Sequence, residues 1–285
     1  MARPPASPPK STDDTFNATT YGPTCPQSIT NEFFSREDED CLNLDIWAPS
    51  SGTNLPVFVY MYGGAMVTGS NSNPQIQGTN FAREGVVYVN FNTRESVWAS
   101  ANSKESDGEE VQNFGMLDVE MVMEWVHENI EAFGGNDSHI VFAGHSSGSV
   151  HVDYYLWRHP ATWLAGAVEM SANALSGPAY APPNSALDIV AADVGCPVSL
   201  SNQTHSQLSC LKGKSIHDLQ TTLFNTSTNT LSTPTIDSTT LFPSSSSTSF
   251  TTRPTPLPTS NPANQQKASS SAPSISTPSN NNPTT

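Results

Sequence analysis

The sequence has few basic residues and no long apolar run. Its 285 residues include 11 lysines and arginines against 26 aspartates and glutamates, which gives a formal net charge of −15. An acidic chain without a basic stripe argues against a nucleic-acid partner and against an anionic membrane surface. No apolar run approaches the roughly 20 residues of a membrane-spanning helix. The N-terminal stretch MARPPASPPKSTDDTF has no hydrophobic segment, so it does not form a secretory signal.

The end of the chain lacks the residues that build a core. From Asn225 onward Ser, Thr and Pro dominate, and the charged side chains are those of Asp237, Arg253 and Lys267. Such a composition cannot bury enough apolar surface to fold. We therefore expect a lead-in over 1–20, an incomplete globular domain over 21–223, and a disordered low-complexity tail over 224–285. The tail has two interpretations: translated non-coding or misjoined sequence, or an O-glycosylated stalk.

The four cysteines fall into two close pairs, Cys25 with Cys41 and Cys196 with Cys210. Neither pair has the spacing of zinc ligands, so disulfides are the favoured interpretation, with four reduced cysteines as the alternative. Closing either loop stabilises the fold by roughly 3 kcal/mol in the chain-entropy model. Both pairs are typical of a secreted protein, as are Asn-x-Ser/Thr triplets for N-glycosylation. These triplets begin at Asn17, Asn136, Asn202 and Asn225.

Apolar segments with strand character alternate with segments of helical periodicity. Strands are predicted over 41–49, 55–64, 85–92, 139–144 and 164–172. The second and third of these are dense in β-branched and aromatic residues, as in a sheet that is covered on both faces. A helix over 116–135 places Leu117, Met121 and Trp125 on one face, and another helix follows residue 146. The apolar face of the first helix is flanked by Val122, Val126 and Ile130. The alternation predicts an α/β fold with a largely parallel sheet.

A serine stands between glycines where a predicted strand meets a predicted helix. Residues 144–148 read GHSSG and fit the pattern G-x-S-x-G, with Gly144 and Gly148 at its ends. A sharp turn here needs small residues on both sides of the serine, so that the backbone folds without a clash. This context predicts a nucleophile elbow at Ser146. It also directs the backbone N–H of Ser147 to the place where an oxyanion would form.

A glycine-rich stretch, YGGAM over 62–66, directly follows another predicted strand. An oxyanion loop uses glycine and alanine, because larger side chains would keep backbone N–H groups away from a substrate oxygen. A flexible turn is the alternative interpretation of two adjacent glycines. The order of loop and elbow along the chain favours a site for acyl transfer.

These motifs resemble the type-B carboxylesterase family, which includes cholinesterases and fungal lipases and has the α/β-hydrolase fold. The segments that carry the resemblance occur in the family's order: YGPTCPQ, EDCLNLDIWAP, VFVYMYGGAMVTGS, GMLDVEMVMEWVHENIEAFGGNDSHIVFAGHSSG and LSCLKGKSIHDLQ. The resemblance covers about residues 2–220. It implies a family member of fungal type. It also implies a partial α/β-hydrolase fold that has the N-terminal and central sheet strands only.

The resemblance also implies roles for particular residues. Ser146 is the implied nucleophile, and the backbone N–H groups of Gly64, Ala65 and Ser147 are the implied oxyanion hole. Cys25–Cys41 and Cys196–Cys210 match the family's disulfides.

Two charged residues have structural counterparts in the family. Glu39 matches an acid that is usually salt-bridged, and Arg94 matches a largely structural arginine. His145 stands where the family usually has glutamate. Neighbours at an elbow point away from each other, so we expect His145 to support the site rather than to act as its base.

The base and the acid of a catalytic triad are harder to place. In this fold the chain order is Ser, then Asp or Glu, then His. The last glutamate is Glu169, in the strand after the elbow helix, which is too early for the acid. A histidine on the elbow helix, in a disulfide loop or on a surface helix could not reach the serine as its base. The histidines after the serine lie on just such segments: His151, His159, His205 and His217. We expect the triad acid and histidine to be missing from this chain, as in a fragment or a faulty gene model.

The expected activity is that of a secreted serine esterase that hydrolyses a small-molecule or lipid ester through an acyl-enzyme. No metal or organic cofactor is implied, and the oligomeric state is left open. A preference for choline esters is not expected, because the segment between Cys25 and Cys41 has no Trp to bind a quaternary ammonium group. The alternatives are a catalytically inactive fragment and a non-catalytic, cholinesterase-like binding protein.

Overall fold

The computed structural model describes residues 18–27, 34–100, 113–160, 162–174, 185–198, 205–225 and 234. The predicted lead-in and tail lie almost wholly outside these ranges, so the predicted domain boundaries stay predictions. Every strand and helix within the described ranges begins inside the predicted globular part, 21–223.

The described strands form one sheet with the spatial order β1-β3-β2-β4-β5. Their bounds are β1 Leu44–Trp47, β2 Leu55–Met61, β3 Val87–Phe91, β4 Gly135–His145 and β5 Gly166–Met170. Strand β1 is antiparallel to β3, and the other three pairs are parallel, which agrees with the predicted largely parallel sheet. Because β2 and β4 are parallel neighbours, their carboxyl ends meet at the same edge of the sheet.

Two long helices, α3 (Phe114–Asn129) and α4 (Ser147–Arg158), pack on one face of the sheet. The five shorter described helices are α1 Thr79–Arg83, α2 Ser96–Ala99, α5 Ser185–Asp193, α6 His205–Lys212 and α7 Ile216–Asn225. Single 3-10 turns lie at Pro74–Ile76 and Ile130–Phe133. In the part of the chain that the structure describes, no helix has both the length and the apolar character of a membrane span.

Helix α3 buries the flank of the predicted apolar face rather than its centre. Val119, Val122 and Val126 are buried against the sheet, whereas Trp125 is 36% exposed. The Trp125 ring instead contacts Phe133 at the surface, with 6.3 Å between ring centroids. The predicted centre of the apolar face was therefore wrong, because large apolar residues occur on both sides of this helix and the sheet selects the valines.

The two faces of the sheet are not covered equally. Strand β3 is buried throughout, as predicted, but β2 alternates between buried and half-buried residues. The half-buried face of β2 carries Phe58, which stacks on Phe81 of α1 at 4.8 Å. On β5, Val168 is 38% exposed. The prediction of a sheet covered on both faces thus holds at β3 and fails towards β5, since α3 and α4 both pack on the same side.

Both predicted disulfides are present. Cys25–Cys41 has a Cα–Cα distance of 4.8 Å, and Cys196–Cys210 has one of 5.8 Å. The Cys25–Cys41 disulfide joins the N-terminal described segment to the residues directly before β1. The second joins the end of the α5 segment to α6, beside a separate apolar cluster that α5, α6 and α7 form with Trp98. The disulfide-bonded interpretation of the cysteines is confirmed.

Candidate active site

Ser146 lies in the turn between β4 and α4, and its backbone has φ 53° and ψ −124°. A positive φ is uncommon for a residue with a side chain and costs of order 1–3 kcal/mol. The Ser146 N–H donates to the Met170 carbonyl of β5 at 2.8 Å, which holds the turn at the carboxyl end of the sheet. The structure therefore places this serine at a sharp strand-to-helix turn, where the sequence predicted an elbow.

The glycines beside the serine leave no room for a side chain. A Cβ on Gly144 would lie 2.4 Å from the carbonyl of Gly148, and a Cβ on Gly148 would lie 2.4 Å from the carbonyls of Met61 and Tyr62. The obstructing atoms belong to the backbone, which has no flexible end that could move away. The elbow thus depends on the absence of side chains at both positions.

The glycine-rich loop after β2 packs directly against the elbow. A Cβ on Gly63 would lie 2.8 Å from the Cβ of Ser146. Beyond it, Gly64, Ala65 and Met66 have φ values of 152°, 57° and 62°. This series of positive φ values coils the chain tightly, which directs backbone N–H groups towards the elbow.

The predicted oxyanion-hole residues are brought together, with one difference. The Gly64 N–H donates to Ser147 Oγ at 3.0 Å, and the Met66 N–H donates to the same oxygen at 3.3 Å. The Ala65 N–H has no acceptor among the described residues. Ser147 is the first residue of α4, where a backbone N–H has no intrahelical acceptor. Two of the three predicted donors are therefore free, and the third is bound to the Ser147 hydroxyl.

Sequence reasoning considered only the backbone of Ser147, so it missed the role of this hydroxyl. The signal was a second serine in GHSSG, next to the candidate nucleophile.

A second residue that sequence reasoning missed, Gln27, binds the far end of the loop. Its side chain is fully buried. The Oε1 atom accepts hydrogen bonds from the Gly69 N–H at 2.9 Å and from the Thr68 hydroxyl, and Nε2 donates to the carbonyls of Cys25 and Gly69. One side chain thereby connects the loop to the segment that the first disulfide holds. No motif indicates this contact, because the two segments are more than 40 residues apart.

A buried carboxyl group lies behind the loop. Glu95 is 3% exposed, and burial raises its pKa well above the ordinary value of 4.5. The Thr93 hydroxyl donates to Glu95 at 3.2 Å, and the Tyr62 hydroxyl is also hydrogen-bonded to it. Tyr62 in turn accepts the Thr93 N–H at 3.3 Å. The Glu95 carboxyl thereby contacts Tyr62, the residue that begins the glycine-rich loop.

The structure describes the side chains of three histidines that follow Ser146 in the sequence. In the described part of the chain, no hydrogen bond joins the Ser146 hydroxyl to a histidine. His151 is buried in α4, where burial lowers its pKa to about 4. His159 faces Glu120 at 3.4 Å, and His217 is exposed on α7. The side chain of His205 lies outside the described residues.

The two charged residues matched to the family have different surroundings. Arg94 binds the carboxylate of Asp118 through two nitrogens, at 2.9 Å and 2.6 Å, so its structural role agrees with expectation. Glu39 is exposed, and the described residues include no ion pair with it. The expected salt bridge of Glu39 is therefore not found in the described part of the chain.

The predicted glycosylation sites are only partly within the described residues. The Asn136 Oδ1 accepts the Ser138 N–H at 2.8 Å at the start of β4, and Asn225 is the last residue of α7. Asn17 and Asn202 lie outside the described residues. Glycosylation at all four stays a prediction.

The sheet is largely parallel, and β4 leads into a serine with positive φ. A helix follows this serine, and a glycine-rich loop faces it. These features together define the α/β-hydrolase class. Within this class, the chain belongs to the carboxylesterase family. The sequence model of the family described as "Carboxylesterase family" matches residues 3–280 of this chain. The predicted family and fold are confirmed, whereas the fungal type stays a prediction.

Relatives and solved structures agree with this assignment. Para-nitrobenzyl esterase of Bacillus subtilis is 34% identical over 152 residues, 51% of this chain and 31% of that protein. Bile salt-activated lipase of Mus musculus is 33% identical over 216 residues, 70% of this chain and 34% of the lipase. A Geobacillus stearothermophilus carboxylesterase structure has a TM-score of 0.67 at 27% identity, covering 79% of this chain and 46% of its own. The chain thus spans about a third of the length of these curated relatives.

Proposed function

We propose that the protein is a carboxylic ester hydrolase in which Ser146 is the nucleophile. The observation that carries the proposal is the position of Ser146, in a strained turn against the glycine-rich loop. Its hydroxyl oxygen attacks the ester carbonyl, and a base takes the hydroxyl proton and gives it to the alcohol that leaves as the ester C–O bond breaks. Water then hydrolyses the acyl-enzyme, which releases the acid and restores the Ser146 hydroxyl. Family membership supports this reaction.

The negative charge on the attacked carbonyl oxygen needs N–H donors. The N–H groups of Ala65 and Ser147 supply two of them in this proposal, since neither is committed to an acceptor in the described structure. Gly64 supplies the third donor once its N–H turns from Ser147 Oγ to the substrate oxygen. Gly144 and Gly148 hold the turn in the shape that this requires.

The base and the acid of the triad are proposed not to belong to this chain. Support comes from the histidines after Ser146 whose side chains are described: His151 is buried, His159 contacts Glu120 and His217 is exposed, and no described hydrogen bond joins any of them to Ser146. Turnover by this chain is therefore expected to be low, and an added small base is expected to raise it. The oxyanion hole alone leaves residual catalysis over water.

The proposed substrate is a small-molecule or lipid ester, and the proposed location is extracellular. The names of two relatives, para-nitrobenzyl esterase and bile salt-activated lipase, support the substrate class. Two disulfides, and a relative named as a secreted lipase from Arthroderma benhamiae, support the location. N-glycans at the four Asn-x-Ser/Thr triplets would accompany secretion.

Hydrolysis of p-nitrophenyl acetate, with and without added imidazole, tests the proposed nucleophile. After subtraction of the rate without protein, we expect slow hydrolysis by the wild-type chain and a faster rate with imidazole as substitute base. Ser146→Ala should retain at most a residual rate that imidazole does not raise. The matched control is Ser51→Ala, which removes an exposed serine between β1 and β2 and is expected to behave as wild type. Equal rates in wild type and Ser146→Ala, under both conditions, would contradict the proposal and favour a non-catalytic binding protein.

A further inference from the structure

Three buried oxygen atoms on the sheet face opposite α3 and α4 have no hydrogen-bond donor. They are Asp45 Oδ2 on β1, Asn90 Oδ1 on β3 and Asn71 Oδ1 in the loop between β2 and α1. Asn71 and Asn90 are both fully buried. Among the described residues, no group of three or more His, Cys, Asp and Glu side chains is placed to bind a metal ion. A site built largely from asparagine oxygens is outside that definition, so these atoms need a separate account.

The three residues lie side by side. Asp45 and Asn90 are direct partners in the β1–β3 register, which puts their side chains on the same face with Cβ atoms about 5 Å apart. The Asn90 Nδ2 atom donates to the main-chain carbonyl of Asn71 at 3.1 Å. Asn71 Nδ2 in turn donates to the Oδ1 of Asn43, which directly precedes β1 and is two residues from Asp45. The loop residue thus bridges the two strands at this position.

The orientation of both asparagine amides is determined by their partners. Asn90 Nδ2 contacts the carbonyls of Asn71 and Ile76, which can only accept. Asn71 Nδ2 contacts the Oδ1 of Asn43, and Asn43 directs its own Nδ2 to the carbonyls of Pro23 and Cys41. Neither amide can therefore be turned over without losing these bonds. The atoms without donors are genuinely oxygens.

Three acceptors without a donor, one of them a carboxylate, match the chemistry of a hard cation. A single water molecule donates two hydrogens, so it would leave one of the three oxygens unsatisfied. Carboxylate and amide oxygens are the ligands that Ca²⁺ takes in proteins. Asp45 is only half-buried, which leaves the ion a path from solvent.

We propose that Asp45, Asn71 and Asn90 form a binding site for a hard divalent cation of the Ca²⁺ type, with water completing its coordination. The ion would tie β1, β3 and the loop after β2 to one another. This proposal is independent of the esterase reaction, because none of its residues contacts the elbow in the described structure.

Terbium luminescence on the purified full chain tests the site directly. Tb³⁺ replaces Ca²⁺ at oxygen sites and emits when a nearby indole is excited, and Trp47 is two residues from Asp45 on the same face of β1. We expect saturable Tb³⁺ emission at pH 8 that Ca²⁺ displaces, and a higher Tm in Ca²⁺ than in EDTA. Asp45→Asn should reduce the emission at least tenfold and abolish the Tm shift.

The variants separate this site from general attraction to an acidic chain. Asp45→Asn is expected to fold, because its new amide group can donate to Asn90 Oδ1. Asp193→Asn removes the same charge from an exposed position and should bind Tb³⁺ as wild type does. Unsaturable emission, or equal loss in both variants, would overturn the proposal. A Tm that is insensitive to Ca²⁺ in wild type and higher in Asp45→Asn would overturn it as well, and would indicate a neutral Asp45 bridged by water.

Discussion

Two turns meet at the candidate site, and they are held in shape in different ways. The elbow after β4 is defined by backbone fit, since atoms of Met61, Tyr62 and Gly148 occupy the space where side chains would be. The loop after β2 is instead held by side chains from other segments. Those side chains belong to Gln27 near the first disulfide and Ser147 on α4.

This difference explains why the two turns are unequally visible in the sequence. A turn that depends on missing side chains leaves a short local pattern of glycines, which can be recognised without the fold. The loop after β2 also shows its glycines in the sequence, but the hydrogen bonds that hold it come from remote residues and leave no local pattern. Substitutions in the elbow should therefore act through steric overlap, and substitutions around the loop should act through unsatisfied polar groups.

The largest effect is expected from Gly148→Ala. The new Cβ would overlap two backbone carbonyls at 2.4 Å, and we expect a loss of about 3 kcal/mol or more in the free energy of unfolding. Urea unfolding measures this loss. The control is Gly166→Ala in β5, whose Cβ would meet its nearest neighbour, Val141, at 3.8 Å. Equal stability of the two variants would show that the elbow is not set by backbone fit.

A smaller loss is expected from Gln27→Ala. It leaves the Gly69 N–H and the carbonyls of Cys25 and Gly69 without their partner in a buried place, which costs about 2–3 kcal/mol. Gln75→Ala at an exposed position serves as the control in the same urea experiment. A loss no larger than that of the control would mean that the loop keeps its shape without Gln27.

Ser147→Ala separates the two turns most directly. Losing the acceptor of two N–H groups should cost about 1 kcal/mol, while freeing the Gly64 N–H should raise the imidazole-assisted hydrolysis rate by about tenfold. Ser149→Ala is the contrasting variant, because that hydroxyl bonds to Gly144 and Met170 in the elbow instead. A slower rate in Ser147→Ala would show that the hydroxyl assists the oxyanion hole rather than occupying one of its donors.

The smallest effect is a change in pH dependence from Glu95→Gln. The native pKa of Glu95 lies well above the ordinary 4.5, so above pH 4.5 the native state binds more protons than the unfolded chain. The free energy of unfolding therefore decreases as pH rises towards the native pKa. Glu95→Gln should remove this part of the slope, and exposed Glu128→Gln should not. Identical slopes in urea unfolding from pH 5 to 8 would mean that Glu95 is ionised in the native state.

Local sequence patterns were enough to predict the strands, the long helices, the disulfides and the position of the elbow. Strand residues alternate or cluster over short segments, and glycines beside a serine identify a sharp turn. The centre of the buried face of α3 was predicted incorrectly, because Trp125 and Val122 are both apolar and only the sheet decides between them. The salt bridge expected for Glu39 was an inference from resemblance, and no described residue pairs with it.

Local steric and periodic constraints lie within a few residues, so the order of elements and the place of Ser146 can be derived from the chain alone. The contacts that shape the loop cannot, since Gln27, Glu95 and Ser147 reach it from three separate segments. The same is true of the oxygens of Asp45, Asn71 and Asn90, which are ordinary polar residues until β1 pairs with β3 and the loop covers them. Burial and hydrogen-bond satisfaction are properties of the assembled fold, because they depend on which distant groups pack against each other.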